Sequence, residues 1–308
     1  MTESEVLLSI VIPTFARPMK LRACLEAVSH LRAEDVPFEV VVVDDGGPQP
    51  ATPVVADFAN RLNVRLVTQS RGGPGVARNA GAAAARGQFL AFIDDDCTPA
   101  TDWLAVMAAE LGRDPGRLLG GRVENALGEN PYAEASERIS SYVYDYNRSN
   151  EAHEPFFTSN NIALSADLFR ALGGFATTIP SATAEDKEFC DRWRARGLRL
   201  VHVPTAVVFH AHDLTFARFL RQHYRYGRGI LAFRLLRRAR VQSGIVPEPW
   251  KFYVRLILSP MPYRTRLQRW RGVALLVFSQ MATLAGALRE SMRWRLLARA
   301  RAAQPTEL

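Results

Sequence analysis

The chain has 308 residues, 48% of them hydrophobic, which is enough to bury a large core in one domain or two. Its three cysteines, Cys24, Cys97 and Cys190, are odd in number and far apart, excluding a disulfide framework or a zinc knuckle and predicting a reducing compartment. The net charge of +8 conceals a division: residues 1–213 carry 20 Lys and Arg against 28 Asp and Glu, and residues 214–308 carry 19 against 3. A basic block of that kind attracts phosphate-rich partners such as an anionic membrane surface, a phosphorylated substrate or nucleic acid.

The opening MTESEVLLSIVIP lacks a basic region and meets a proline after a short apolar run, so it predicts a strand and no removable leader. Strands are expected at Ser9–Pro13, Phe38–Asp45, Val64–Val67 and Phe89–Asp96, apolar almost throughout, as strands covered on both faces are. Between them, Pro18–Leu31, Thr52–Arg61 and Pro74–Arg86 are long enough for helices, the last with proline at its first position. This alternation predicts an α/β fold with a mostly parallel sheet. Its ligands should gather at the carboxyl ends of the strands.

Two acidic clusters fall at that edge, Asp44-Asp45 and Asp94-Asp95-Asp96. In an extended segment Asp94 and Asp96 point the same way and Asp95 the other. Two convergent carboxylates suit Mg²⁺ or Mn²⁺ that also takes oxygens from a substrate diphosphate. The stretch RGGPGVARNAG at Arg71–Gly81 fails the P-loop and dinucleotide patterns, yet its glycine turn enters a helix whose N–H groups, with Arg71 and Arg78, would hold an anion.

In this order SIVIPTF with Arg17, VVVDDGG, GGPGVARNAG, FIDDDCTP, TSNNIALSADLF with GGF, and AEDKEFCDRW resemble glycosyltransferase family 2, the inverting enzymes of the GT-A fold. The resemblance runs from about Leu8 to His212. It implies a nucleotide-sugar donor, with Pro13, Thr14, Arg17 and Asp45 on the base and ribose, Arg78 shaping the donor pocket, and Asp94 and Asp96 carrying the metal. Inverting transfer also needs one carboxylate base for the acceptor hydroxyl. The resemblance assigns this to Asp186, with Glu185 beside it on the acceptor. It further implies His210 near the metal and, through QHYRY at Gln222–Tyr226, Arg225 near the diphosphate. Tyrosine stands in that motif where processive members have tryptophan.

The expected organisation is therefore a nucleotide-sugar-binding and catalytic domain over 1–213 and a basic, helical, membrane-associating region over 214–308. Arg218, Arg221, Arg225 and Arg228 form one face of a helix that Gly227 and Gly229 are expected to break. The uncharged run Gly272–Leu288 spans about 26 Å as a helix, short of the roughly 30 Å of a bilayer core, which predicts a segment lying on the membrane. The function expected is metal-dependent transfer of one sugar to an acceptor hydroxyl on a glycan, a lipid-linked or a surface-polysaccharide precursor, at the cytoplasmic face of the plasma membrane. The alternatives are a Mg²⁺ phosphohydrolase or nucleotidyltransferase using the same aspartates, or a noncatalytic binder of anionic surfaces. Nucleic acid is disfavoured because no stacking platform on a sheet is evident. Sugar and acceptor choice are left to loops such as Tyr132–Phe157.

Overall fold

The computed structural model describes residues 7–148, 156–179, 183–241, 248–259 and 265–302. The start of the N-terminal run and Ser181–Ala182 of the SATAEDKEF stretch lie outside these. The chain divides into two compact units. The first holds Met1–Leu127, Asn147–Thr177 and Asp186–His212, and the second holds Gly128–Tyr146, Thr178–Glu185 and Asp213–Leu308.

The first unit is an α/β sheet with helices packed on it. Its strands are β1 Leu8–Thr14, β2 Phe38–Asp44, β3 Val64–Thr68, β4 Phe89–Phe92, β5 Cys97–Pro99, β6 Arg117–Asn125, β7 Ile162–Ser165 and β8 Arg199–His210. They lie in the order β3-β2-β1-β4-β7-β6-β8-β5. The first four pair in parallel, β7 runs antiparallel between β4 and β6, and β8 is parallel to β6. Residues of β1 and β2 are buried nearly end to end because α1 Pro18–Val28 packs Leu21, Leu25 and Val28 into one core with Ile10, Ile12, Val40 and Val42, while α3 Pro74–Ala84 lies against Val11 and Val43 on the other face. Helix α3 comes so close to the sheet that a Cβ on Gly81 would stand 2.4 Å from Val11 Cγ1. The chain leaves β1 to build β2 and β3 on one side and returns on the other as β4, so the crevice beside the ends of β1 and β4 is the switch point where a ligand is expected.

Expected and observed elements agree in kind, with α2 trimmed to Thr52–Ala56 and β4 ending at Phe92, before the aspartates. Asp95 and Asp96 sit in a turn, closed by the Cys97 amide donating to the Asp94 carbonyl at 3.0 Å, so strand alternation does not govern their directions. Much of the segment expected as a specificity loop is the helix α5 Pro131–Arg148, and residues 149–155 lie outside the described ones. Helix α7 Glu185–Ala195 begins at the acidic pair expected to open a helix.

The second unit is helical, with most of α5, then α8 Phe216–Val241, α9 Trp250–Ile257 and α10 Arg266–Ala302. Gly227 and Gly229 do not break α8, contrary to expectation. They stand where a Cβ would meet the Thr283 carbonyl oxygen of α10 at 1.8 Å and the Thr183 carbonyl oxygen of a loop at 2.2 Å, so Gly227 lets the two helices pack closely and Gly229 admits the loop. Gly272–Leu288 lies inside the 37-residue helix α10.

Candidate active site and family membership

Each aspartate of the triplet has its own partner. Asp95 is fully buried and accepts from Thr14 Oγ1 at 2.7 Å and Arg17 Nε at 3.1 Å, with Arg17 Nη2 2.5 Å from its other oxygen. Burial pushes its pKa up to about 7 against the pull of Arg17. Asp96, also buried, takes Arg17 Nη1 at 2.8 Å and Lys20 Nζ at 3.1 Å on Oδ2, while His210 Nε2 lies 3.3 Å from Oδ1. Burial alone would raise its pKa, but the His210 hydrogen bond, followed by the charges of His210, Arg17 and Lys20, holds it far below the usual carboxylate range. Asp96 is therefore an anion at any working pH. Asp94 faces Arg78, whose Nη2 is 2.5 Å from its Oδ1.

Local sequence explains the arrangement. Pro18 stands at the start of α1, setting Arg17 at its N-cap and Lys20 three residues on, so both cations reach the turn after β4. Strand β8 delivers His210 opposite Cys97 of β5, and the Ala211 amide donates to the Asp96 carbonyl at 2.8 Å. Among the described residues, possible metal-ligating atoms of Asp96, Cys97 and His210 lie within 4.8 Å of one another. The Cys97 thiol is pushed well up by burial and so stays protonated.

The second acidic pair does different work. Asp44 accepts from the Ala51 amide at 2.8 Å. Asp45 accepts from the Gly72 and Gly73 amides at 2.7 and 2.8 Å and from Gln69 Nε2 at 2.7 Å. The glycine turn thus presents those two amides to Asp45, not to open solvent as expected for an anion cradle. Arg71 lies over the Phe15 ring at 4.3 Å, and Arg78 is buried on Asp94. Pro13 and Thr14 end β1 beside this edge, and the Asp45 amide donates to the Thr14 carbonyl.

Asp186, at the start of α7, accepts from the Lys187 amide at 2.7 Å and lies 3.4 Å from the Ser159 amide of the TSNN stretch. Glu185 precedes it as a buried residue assigned to the second unit. Arg225 is on α8 in the second unit, its carbonyl accepting from Thr183 Oγ1 at 2.9 Å. Sequence reasoning missed Lys20. Its signal was available: it is one of 3 lysines in a chain with 36 arginines, one helical turn from Arg17.

The family model for glycosyl transferase family 2 matches residues 9–173. Glycosyltransferase AglE of Haloferax volcanii is 24% identical over 253 residues, 81% of each chain. The pre-mycofactocin glycosyltransferase of Mycobacterium tuberculosis is 30% identical over 228 residues, 71% of this chain and 46% of that one. Among solved structures, the mannosyltransferase PcManGT of Pyrobaculum calidifontis, in complex with GDP-Man and Mn²⁺, superposes with a TM-score of 0.60 at 18% identity, covering 98% of this chain and 82% of that one. TarS 1-349 of S. aureus with UDP-GlcNAc gives 0.55 at 16%, covering 94% and 92%. These two likenesses carry the GT-A fold. A sheet whose switch point gathers Thr14, Arg17 and the aspartates, inside a span that the family model matches over more than half the chain, leaves one assignment: the chain belongs to glycosyl transferase family 2 and is a glycosyltransferase.

Proposed function

We propose that the chain is a metal-dependent inverting transferase that moves one sugar from a nucleotide-sugar donor to an acceptor hydroxyl. The observation that carries this reading is Asp96, a buried carboxylate held ionised at the switch point, with His210 on one oxygen and two cationic side chains on the other. A charged oxygen beside an imidazole nitrogen fits Mn²⁺ or Mg²⁺, whereas the protonated Cys97 thiol offers no thiolate for a soft metal. Asp96, with Asp94 and His210, would hold the ion. Bound there, it would neutralise charge on the departing diphosphate.

The remaining roles belong to the chain's own groups. Arg17 and Lys20 carry positive charge to the same edge and would turn from Asp96 towards the diphosphate. Pro13, Thr14 and Asp45 would receive the base and ribose, and Arg78 would fix Asp94 and the donor pocket wall. Asp186 is the base: as the acceptor oxygen bonds to the anomeric carbon and the bond to the diphosphate oxygen breaks, the hydroxyl proton passes to its carboxylate. Glu185 would hydrogen-bond the acceptor, and Arg225 would meet the diphosphate.

The basic second unit supports an acceptor presented at an anionic membrane, such as a lipid-linked or surface-polysaccharide precursor at the cytoplasmic face. The test is a panel of nucleotide sugars incubated with Mn²⁺ or Mg²⁺ and candidate acceptors, reading nucleoside diphosphate release and the anomeric configuration of the product. The reading expects an inverted product that EDTA abolishes. Retention of configuration, or full turnover in EDTA, would contradict it.

A further inference from the structure

Fifteen of the seventeen exposed large hydrophobic side chains among the described residues lie in Asp213–Leu308, and α10 concentrates them. Its outer face leaves an apolar stripe uncovered. The buried face carries Leu275 and Leu276 together with Gly272, Ser279, Gly286 and Glu290, whereas Trp270, Val277, Met281, Leu284, Leu288 and Met292 are exposed, Trp270 at 70% and Met281 and Leu284 at 61%. A contiguous apolar stripe left open on a helix that already buries leucines on its other face marks a surface that meets lipid or a partner.

The buried face packs on α8. The Phe216 and Phe278 rings are 5.7 Å apart, a Cβ on Gly286 would stand 1.9 Å from the Tyr224 carbonyl oxygen, and Arg228 Nε reaches Glu290 Oε2 at 2.9 Å. Each pair is separated by 62 positions, so the two helices run parallel and in step. Helix α10 is the described helix long and apolar enough to cross a membrane. The same offset, however, sets exposed Arg218, Arg221 and Arg225 of α8 level with Gln280, Thr283 and Ala287 of α10. A crossing α10 would carry three arginines into hydrocarbon, which is strongly unfavourable.

A second copy of this chain fits poorly. Arg266, Arg269 and Arg271 stand at one end of the uncharged run and Arg289, Arg293 and Arg295 at the other, so two α10 helices would bring arginine against arginine in either direction. The exposed arc, widened by Ala274, Phe278 and Ala285, is also broader than a two-stranded seam. Anionic lipid complements both the apolar arc and its basic ends.

Resting on the membrane-associated reading above, we propose that α10 lies in the plane of an anionic leaflet without crossing it, its Val277–Met281–Leu284–Leu288 stripe sunk into the acyl boundary and the flanking arginines at the headgroups. Attachment is then hydrophobic as well as electrostatic. The test is flotation of the full chain with vesicles of phosphatidylglycerol and phosphatidylcholine, or phosphatidylcholine alone, at low salt and at 0.5 M salt, which screens exposed charge within about 4–5 Å. The wild type should float with anionic vesicles and persist in part at high salt. The double substitution Met281→Glu and Leu284→Glu, both at exposed positions, should reduce flotation at least 10-fold while circular dichroism and nucleoside diphosphate release in detergent stay unchanged. A C-terminal tag should stay fully open to protease added outside sealed vesicles. Flotation of the variant like wild type, or no flotation of wild type, overturns the proposal. So does a protected tag, which means α10 crosses, or a lipid-free dimer that the variant dissolves, which means a second copy covers the stripe. Absence of diphosphate release from both proteins would count against the transferase reading alone and leave the flotation result standing.

Discussion

Glu39 is a fully buried carboxylate in the middle of the apolar strand β2, and replacing it should destabilise the first unit substantially. Its Oε1 accepts from Ser9 Oγ at 2.7 Å and the Arg86 amide at 2.6 Å, and its Oε2 from Arg65 Nε and Nη2 at 3.0 and 2.8 Å. Glu39→Leu would strand all these donors. Breaking a buried ion pair from one side typically costs about 3–5 kcal/mol; Arg65 is partly open to water and keeps the Ala84 carbonyl, so about 2–4 kcal/mol is expected. Taking m as roughly 3 kcal/mol/M, that is a fall of about 1 M in the urea midpoint of the first unit. Burial alone would raise the Glu39 pKa, but the Arg86 amide, Ser9 and Arg65 together bring it below its ordinary value. A depressed folded pKa contributes stability that is fully present above the unfolded value, roughly 4.3, and is lost as pH falls through the folded one. The gap between wild type and variant should therefore be full at pH 7 and narrow below about pH 4. The double variant Glu39→Leu with Arg65→Leu should recover part of the loss. An unchanged midpoint in the single variant, or a gap that widens in acid, would refute this reasoning.

Asp186→Asn should leave donor affinity unchanged in calorimetry and lower transfer by about 10²-fold or more, the scale expected for a lost general base; near-normal transfer would move the base elsewhere. Cys24, Cys97 and Cys190 are buried, and burial pushes Cys190 up to about 12 and the other two well above the ordinary thiol value, so a thiol reagent at pH 8 should label none in the native chain and three after denaturation. Labelling of one thiol before unfolding would contradict the packing of its element. Gly286→Val would force the α10 backbone from the Tyr224 carbonyl, so the second unit should lose helical signal and melt earlier; an unchanged melt would place the α8 and α10 contact elsewhere.

The sheet was legible because β1, β2 and β4 are apolar runs separated by helix-length segments with proline at the helix starts. Less legible was anything that depends on partners distant in sequence. Glu39 reads as an interruption in an apolar strand, and its partners Ser9, Arg65 and Arg86 are 26 to 47 positions away. The direction of the three aspartates was misjudged from strand alternation because β4 ends at Phe92 and the chain turns beneath them. Asp45 and the glycine turn were read separately, although the structure joins them by two amide hydrogen bonds. Glycines 227 and 229 look like helix breakers in a local reading and prove to be points of close backbone approach, Gly227 to α10 and Gly229 to Thr183. The extent of the second unit was likewise hidden, since Gly128–Tyr146 and Thr178–Glu185 join it from elsewhere in the chain.

Whether Asp96 holds a divalent cation for a nucleotide-sugar donor is decided by calorimetric titration of the donor into wild type and Asp96→Ala, each with Mn²⁺ and with EDTA. Wild type should bind in Mn²⁺ and at least 10-fold more weakly in EDTA, and Asp96→Ala should bind weakly in both while its circular dichroism matches wild type. Equal donor affinity in wild type with Mn²⁺ and with EDTA, or a variant that keeps the full Mn²⁺ effect, would contradict the account.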